Sequence, residues 1–232
     1  MSRRLTGSGG TGFAGAGAGL SCAFDLAHYR ELLEAADAGG YRWATFEAEP
    51  QAGDLLLRHD VDLSLEAALA LARLEHELGA RAPYFLMTES VFYNLNSEPG
   101  RETLRELRSL GHAVGLHAVY PRASRDDRFD AVVAWHNPEP EYVHEPVSGF
   151  VNVMQPPWFT KGKYRSDSNQ HWREGCPHDE LRAGAFEWLQ LLVHPEIWAY
   201  DGSTMRETMH GMLDAKHGEW LEHLANDRID LS

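Results

Sequence analysis

Two aspartates in the segment 54–62, which reads D-L-L-L-R-H-D-V-D, have the spacing expected of a cation site. The apolar run at 55–57 is typical of a parallel strand that is buried on both faces. Because the carboxyl ends of parallel strands face a common crevice in α/β folds, we expect Asp60 and Asp62 to enter that crevice together. The pattern Asp-x-Asp suits a divalent cation, although Asp62 or Ser64 could instead cap the helix that follows.

Three histidines stand in a comparable position, each directly after an apolar run. His117 follows the run 113–116, His136 follows 132–135 and His194 follows 191–193. A single histidine of this kind is more often a packed or hydrogen-bonded residue, but the shared position predicts that all three side chains meet at one mouth. Two carboxylates and two or three imidazoles suit Zn²⁺ or a related transition ion with an open position for water. With one free carboxylate as base and one histidine as acid, such a site would be that of a hydrolase.

The elements that must position these residues alternate between strands and helices. Apolar stripes predict helices near 26–38, 65–78 and 104–110, with strands before and after them at roughly thirty residues per βα unit. Right-handed crossovers make such strands parallel. The pattern therefore predicts an α/β fold. Later strand candidates are 131–135, 150–154, 164–167 and 188–193, and a closing helix is expected at about 204–224.

The composition narrows the class of partner. The chain has 21 Lys and Arg against 35 Asp and Glu, a net charge of −14, which argues against a nucleic-acid or anionic-membrane partner. Cys22 and Cys176 are the only cysteines in the sequence, so there is no disulfide framework to read and a cytoplasmic location is expected. Residues 1–21, rich in Gly and Ala, are interpreted as a disordered leader, and 22–232 as a single catalytic domain. No run approaches the ~18 apolar residues that a membrane span requires.

Five short motifs resemble, in order, those of the NodB-homology polysaccharide deacetylases, closest to their WbmS-like branch. They are R-H-D-V-D at 58–62, R-A-P-Y-F-L at 81–86, G-H-A-V-G-L-H at 111–117, Y-R-S-D-S-N at 164–169 and L-Q-L-L-V-H-P at 189–195. The resemblance covers about residues 24–200. It implies a distorted (β/α) barrel of about seven parallel strands, a divalent metal, most simply Zn²⁺, and hydrolysis of an N-acetyl or O-acetyl group on a sugar.

The resemblance also implies a role for each matching residue. Asp60 corresponds to the general base, Asp62 and His117 to metal ligands, His194 to the general acid, and Asp167 to the acidic residue that orients this acid. The substrate class would be a small or nucleotide-linked N-acetylated sugar, or a glycan.

Two departures from the family pattern bear on the metal site. Val61 separates aspartates that are adjacent in the usual members, and Pro121 occupies the position of the second metal histidine. Because proline has no side-chain donor, a third ligand must come from elsewhere. His136 is the best placed candidate, since it ends an apolar run as His117 does.

Four further residues are candidates for contact with the substrate. Arg58 accompanies the aspartates, while Tyr93 and Asn94 follow the strand at 83–87 and could meet sugar hydroxyls. Trp172 could line an acetyl pocket, with a buried core position as the equal alternative.

Three functions stay open on the sequence alone. They are a metal-dependent sugar deacetylase, a hydrolase of another C–N bond such as a cyclic amide, and a catalytically inactive carbohydrate-binding relative. Metal content and acetate release separate the first two, and ligand binding without turnover would identify the third.

Overall fold

The computed structural model describes residues 22–229, so the predicted leader at 1–21 lies outside the described residues. Helices and strands alternate along the chain as predicted. They are α1 (Leu26–Ala38), β1 (Arg42–Trp43), β2 (Asp54–Val61), α2 (Leu65–Glu77), β3 (Pro83–Leu86), α3 (Glu98–Ser109), β4 (Ala113–Ala118), β5 (Val132–Trp135), β6 (Val151–Asn152), β7 (Tyr164–Ser166), α4 (His178–Arg182), β8 (Leu189–Val193), α5 (Pro195–Ala199) and α6 (Met205–Asn226).

All strands belong to one parallel sheet. Its order is β6-β5-β4-β3-β2-β8-β7, and β1 pairs with the amino end of β2. Every pairing along this path is parallel. The predicted α/β class with about seven parallel strands is therefore confirmed. The helix α5, which lies directly after β8, was not predicted because its five residues are too few to show a helical period.

The sheet curls into a distorted half-barrel, as one side chain shows directly. Gln190 on β8 donates hydrogen bonds to the carbonyl oxygens of Val153, 3.0 Å away, and Trp158, 3.1 Å away. Val153 follows β6, and four strands lie between β6 and β8 in the sheet order. A single side chain can cover that separation only if the sheet bends round on itself.

The strand β2 has two different faces although all eight of its residues are buried. Leu55, Leu57 and Val61 pack with the helices in the main core, whereas Leu56 packs inside the curl with Phe85. Side chains alternate along a strand with a period of two, so Arg58 and Asp60 share the inner face with Leu56. The same strand thus anchors the helices and delivers ionisable groups to the interior.

The residue that caps helix α2 is Ser64, one of the two candidates, with Asp62, that the sequence offered. The Ser64 hydroxyl accepts a hydrogen bond from the Ala67 amide at 3.1 Å, which satisfies one of the free donors of the first turn. Ser64 is therefore the cap, and Asp62 is left free for other contacts.

A buried polar network lies between the sheet and the helices. His59 on β2 approaches Glu75 on α2 at 2.7 Å, and the Tyr29 hydroxyl of α1 donates to the same carboxylate oxygen at 2.5 Å. Burial alone would raise the pKa of Glu75, but the His59 ring beside it holds that pKa below the usual range. The network joins two helices to the central strand at a position with no access to water.

We expect Glu75→Ala to destabilise the protein by about 3–5 kcal/mol, because it leaves His59 and Tyr29 buried without their acceptor. Glu77→Ala is the matched control, since Glu77 lies on the same helix and forms an exposed ion pair with Arg30. That variant should cost less than about 1 kcal/mol. Urea unfolding of the two variants measures the difference. An equal loss in the free energy of unfolding would contradict a large contribution of the network to stability.

Candidate metal centre

The sheet brings the predicted site residues to one end of the half-barrel. Asp62, His136 and His194 directly follow β2, β5 and β8, and Asp167 directly follows β7. His117 lies one residue before the end of β4. Because the strands are parallel, all these positions are at the carboxyl edge of the sheet, where α/β proteins place their sites.

Three of these residues form a compact group of potential metal ligands. Asp62 Oδ1 lies 3.1 Å from His117 Nε2 and 3.1 Å from His136 Nδ1, and the two ring nitrogens are 3.1 Å apart. Despite these short distances, Asp62 Oδ1 is buried and makes no well-aligned hydrogen bond to any described residue. Asp62, His117 and His136 therefore form a group that could hold a metal ion.

The distances between the three donor atoms fit a metal ion such as Zn²⁺. Ligand atoms about 2.0–2.1 Å from a tetrahedral ion lie about 3.3 Å from one another, close to the spacing seen here. His117 Nδ1 lies 3.0 Å from the Ala134 carbonyl oxygen. A proton on Nδ1 bonded to that oxygen leaves the Nε2 lone pair directed at Asp62 and His136, which is the usual support for a ligating imidazole.

Asp60 sits beside this group but has a different partner. Its two carboxylate oxygens accept hydrogen bonds from Arg58 Nη2 at 2.7 Å and Nε at 3.2 Å, and Oδ2 is 3.9 Å from His117 Nε2. Burial alone would raise the pKa of Asp60, but the Arg58 guanidinium holds it below the usual range. Asp60 is therefore an ionised carboxylate adjacent to the three donors, not one of them.

A second carboxylate orients His194. Asp167 is fully buried, and its Oδ1 lies 2.6 Å from His194 Nδ1 while Oδ2 accepts a hydrogen bond from the Trp198 indole at 2.7 Å. The backbone amide of His194 also donates to Asp167. Burial would lower the pKa of His194, but the Asp167 carboxylate overrides this and raises it to about 10. In the metal-free protein His194 thus carries a proton at neutral pH, and its bond to Asp167 uses Nδ1 and not Nε2.

The group of Asp62, His117 and His136 and the Asp167–His194 pair lie beside the same open cavity. Its volume is about 420 Å³, and Asp62, His136 and His194 all contribute to its lining. Such a volume is within the range of small-molecule sites. Asp62 and His194 are therefore within reach of one bound molecule.

The chain matches no family profile, no curated protein and no solved structure. Membership of the deacetylase family therefore stays a prediction. The described residues include no helix long and apolar enough to cross a membrane, and the cytoplasmic location is likewise untested. Any functional conclusion has to come from the site itself.

Sequence reasoning missed a buried acidic residue of the cavity. Glu196 is 2% exposed, contributes to the cavity lining, and its Oε2 has no hydrogen-bond partner among the described residues. Burial raises the pKa of Glu196 to about 8. Its position two residues after His194, in the first turn of α5, was the available signal.

Two asparagines at the cavity have backbone conformations that residues other than glycine rarely adopt. Asn137 has a φ of 44° and Asn169 a φ of 59°, and both line the cavity. Asparagine tolerates this left-handed region better than most residues. The Asn137 amide lies 3.3 Å from His136 Nε2, so this turn also contacts a candidate ligand.

Two of the predicted substrate contacts are buried away from the cavity. Arg58 is 1% exposed and its guanidinium is occupied by Asp60 and by Gln190 Oε1. Trp172 is 4% exposed and packs against Phe24 and Trp198, so the alternative core position is the correct one. The sequence could not distinguish these roles because Gln190, Phe24 and Trp198, which surround the two side chains, come from distant parts of the chain.

The other two predicted substrate contacts, Tyr93 and Asn94, form hydrogen bonds within the protein. The Tyr93 hydroxyl donates to the Val61 carbonyl oxygen at 2.7 Å and accepts from the Met87 amide at 2.8 Å, which ties the β3 loop to the end of β2. Asn94 accepts a hydrogen bond from the Asn96 amide in the turn before α3. Both line a separate surface depression and not the cavity that Asp62 lines.

Removal of the His136 side chain should weaken zinc binding severely. Asp62 and His117 would remain as two ligands, whereas zinc sites ordinarily use three or four. The loss of affinity should therefore exceed the roughly 10–100-fold that follows from losing an outer-shell partner. Calorimetric zinc titration of His136→Ala, with exposed His210→Ala as control, measures this, and unchanged affinity in His136→Ala would exclude His136 as a ligand.

The Asp167–His194 pair predicts an alkaline titration in the metal-free protein. Because the folded pKa of about 10 lies above the unfolded value, protonated His194 stabilises the fold. This contribution is complete below about pH 6.5 and is lost as the pH rises toward the folded pKa. We expect an NMR titration of the ring to show a midpoint near 10, and a lower one in Asp167→Asn. A wild-type midpoint at the ordinary histidine value would contradict the assignment.

Proposed function

We propose that this chain is a metal-dependent hydrolase that removes the N-acetyl group from a sugar. The observation that carries the proposal is that Asp62, His117 and His136 converge beside a cavity that an Asp167-oriented histidine also enters. The two groups come from different strand ends and would act on opposite sides of one scissile bond. The five motifs that resemble the NodB-homology deacetylases give the same reaction class.

In this proposal Asp62, His117 and His136 hold the divalent metal, most simply Zn²⁺. When bound, the metal would polarise the acetyl carbonyl and make water a better nucleophile. Asp60 accepts the proton of the attacking water. Arg58 keeps the carboxylate ionised and fixed, and each carboxylate oxygen retains a second lone pair for this transfer.

His194 supplies the proton for the leaving amine. Its Nδ1 is held by Asp167, whose carboxylate raises the pKa of the ring and so favours the protonated form, and the residue lines the cavity. An amine leaves poorly as an anion, so a protonated imidazole on this side lowers the barrier to C–N cleavage. Asp60 and His194 thus have opposite protonation states, set by Arg58 and Asp167 respectively.

The cavity favours a small substrate or one unit of a larger one. Ser168, Asn169 and Glu89 offer polar groups for hydroxyls, while Val91 and Phe92 form an apolar side. A sugar ring presents the same combination of hydroxyls and apolar faces. We therefore propose a small or nucleotide-linked N-acetylated sugar, or the end of a glycan, as the substrate class.

Asp60→Asn should retain the metal but lower turnover by about 10²–10⁴-fold, the usual contribution of a general base. Asp62→Ala should lose turnover and the metal ion of this site, one ion per chain, and exposed Asp127→Asn is the matched control. The measurements are acetate release from a panel of N-acetylated sugars and metal content by elemental analysis. If Asp60→Asn also loses the metal, Asp60 is a ligand and the roles of the two aspartates are reversed.

The same assays, with cyclic amides added to the panel, separate the rival functions. Opening of a cyclic amide without acetate release would identify a hydrolase of another C–N bond. Sugar binding by the metal-loaded protein without turnover would identify an inactive carbohydrate-binding relative.

A further inference from the structure

A second cluster of metal-binding side chains lies away from the cavity. The Cys22 and Cys176 sulfurs and a His28 ring nitrogen all lie within 4.8 Å of one another. His28 Nε2 is 3.2 Å from Cys176 Sγ. Cys176 lies 148 residues after His28, so the fold brings the segment before α4 to Cys22, which precedes α1, and to His28 in the first turn of α1.

The donor types in this cluster differ from those of the first group. Two thiol sulfurs and an imidazole nitrogen form a soft set, which selects zinc over magnesium or calcium. All three residues are partly buried, and both cysteines are free thiols. Structural zinc sites use such Cys and His combinations at about 2.3 Å for sulfur and about 2.0 Å for nitrogen.

A second histidine stands beside the cluster. The rings of His28 and His178 have their centroids 5.7 Å apart. His178 now contacts Asp179, whose side chain is 96% exposed, and Arg182. Exposed contacts of this kind contribute little stability, so the ring can turn toward the cluster at small cost.

We propose that Cys22, His28, Cys176 and His178 bind a structural zinc ion that joins the start of α1 to the segment preceding α4. This site is independent of the proposed catalytic function. Zinc binding would displace the thiol protons of Cys22 and Cys176 to solvent, so that both sulfurs coordinate as thiolates.

The position of the cluster explains what such an ion would stabilise. The Trp172 indole donates a hydrogen bond to Cys22 Sγ at 3.3 Å, and its ring packs against Trp198 at 6.3 Å between centroids. Trp198 in turn donates to Asp167, which holds His194. A zinc ion bound to Cys22 and Cys176 would thus stabilise the packing of Trp172 and Trp198 next to the Asp167–His194 pair. It would do so from outside the cavity.

Cobalt substitution tests the proposal without any assay of activity. Thiolate sulfur bound to Co²⁺ gives an intense near-ultraviolet charge-transfer band, which the sulfur-free group of Asp62, His117 and His136 cannot produce. We expect reduced, metal-free full-length protein to show this band on titration with Co²⁺ and to lose it when Zn²⁺ is added. Absence of the band in the folded, reduced protein would overturn the proposal.

Matched variants assign the ligands. Cys22→Ser/Cys176→Ser should lose the band and bind one zinc ion fewer per chain, whereas exposed His171→Ala should keep both. His178→Ala should weaken cobalt affinity by more than roughly tenfold, the lower bound for losing a supporting partner. A band that persists in the double cysteine variant would contradict the proposed site. Unchanged cobalt affinity in His178→Ala would show that His178 is not the fourth ligand. If the double variant fails to fold, the wild-type titration still decides.

The chemical alternative is a disulfide between Cys22 and Cys176. Alkylation and mass spectrometry of protein purified under reducing conditions distinguish the two. Two cysteines that react freely without zinc and are protected by zinc support the site. Two cysteines that remain unreactive as an intact disulfide contradict it.

Discussion

The period of two along β2 is the constraint on which the rest of the structure depends. It directs Leu55, Leu57 and Val61 to the helices while Leu56, Arg58 and Asp60 face the interior of the curl. A shift of one residue would exchange the two sets and bury charges against the helices. Stability of the helical layer and placement of the proposed catalytic groups therefore depend on the same register, which pairing with β3 and β8 fixes on both sides.

The interior of the half-barrel contains charges that are stable only as a set. Arg58 and Asp60 are almost inaccessible to water, so each would be costly to bury alone. Gln190 gives the guanidinium a further acceptor and donates from its amide to Val153 and Trp158, so one side chain links this ion pair to the far edge of the sheet. The curvature of the sheet and the ionised state of Asp60 are thus supported by overlapping contacts.

The sequence predicted the elements better than it predicted side-chain partners. Apolar runs and helical stripes located β2, β4, β5 and β8, and with them the strand ends where Asp62, His117, His136 and His194 meet. These predictions succeed because burial imposes a period that is visible in one dimension. The sequence did not show that Arg58 and Trp172 are buried among other side chains, because Gln190, Phe24 and Trp198 reach them only in the folded chain. Glu196 escaped notice because α5 is too short to show a pattern.

Asp167 shows how a single buried carboxylate can serve both packing and chemistry. It accepts hydrogen bonds from the backbone and ring of His194 and from the Trp198 indole, so its charge is fully compensated without water. Trp198 is itself fixed by Tyr29, Phe24 and Trp172, which lie in or next to the main core. A change in that aromatic packing would therefore move an acceptor of the His194 proton and alter its pKa from outside the cavity. The acid side of the site is in this sense an extension of the helical core, whereas Asp60 depends on the interior of the sheet. The two halves of the proposed chemistry thus depend on different parts of the structure, the inner face of β2 for Asp60 and the aromatic packing around Trp198 for His194.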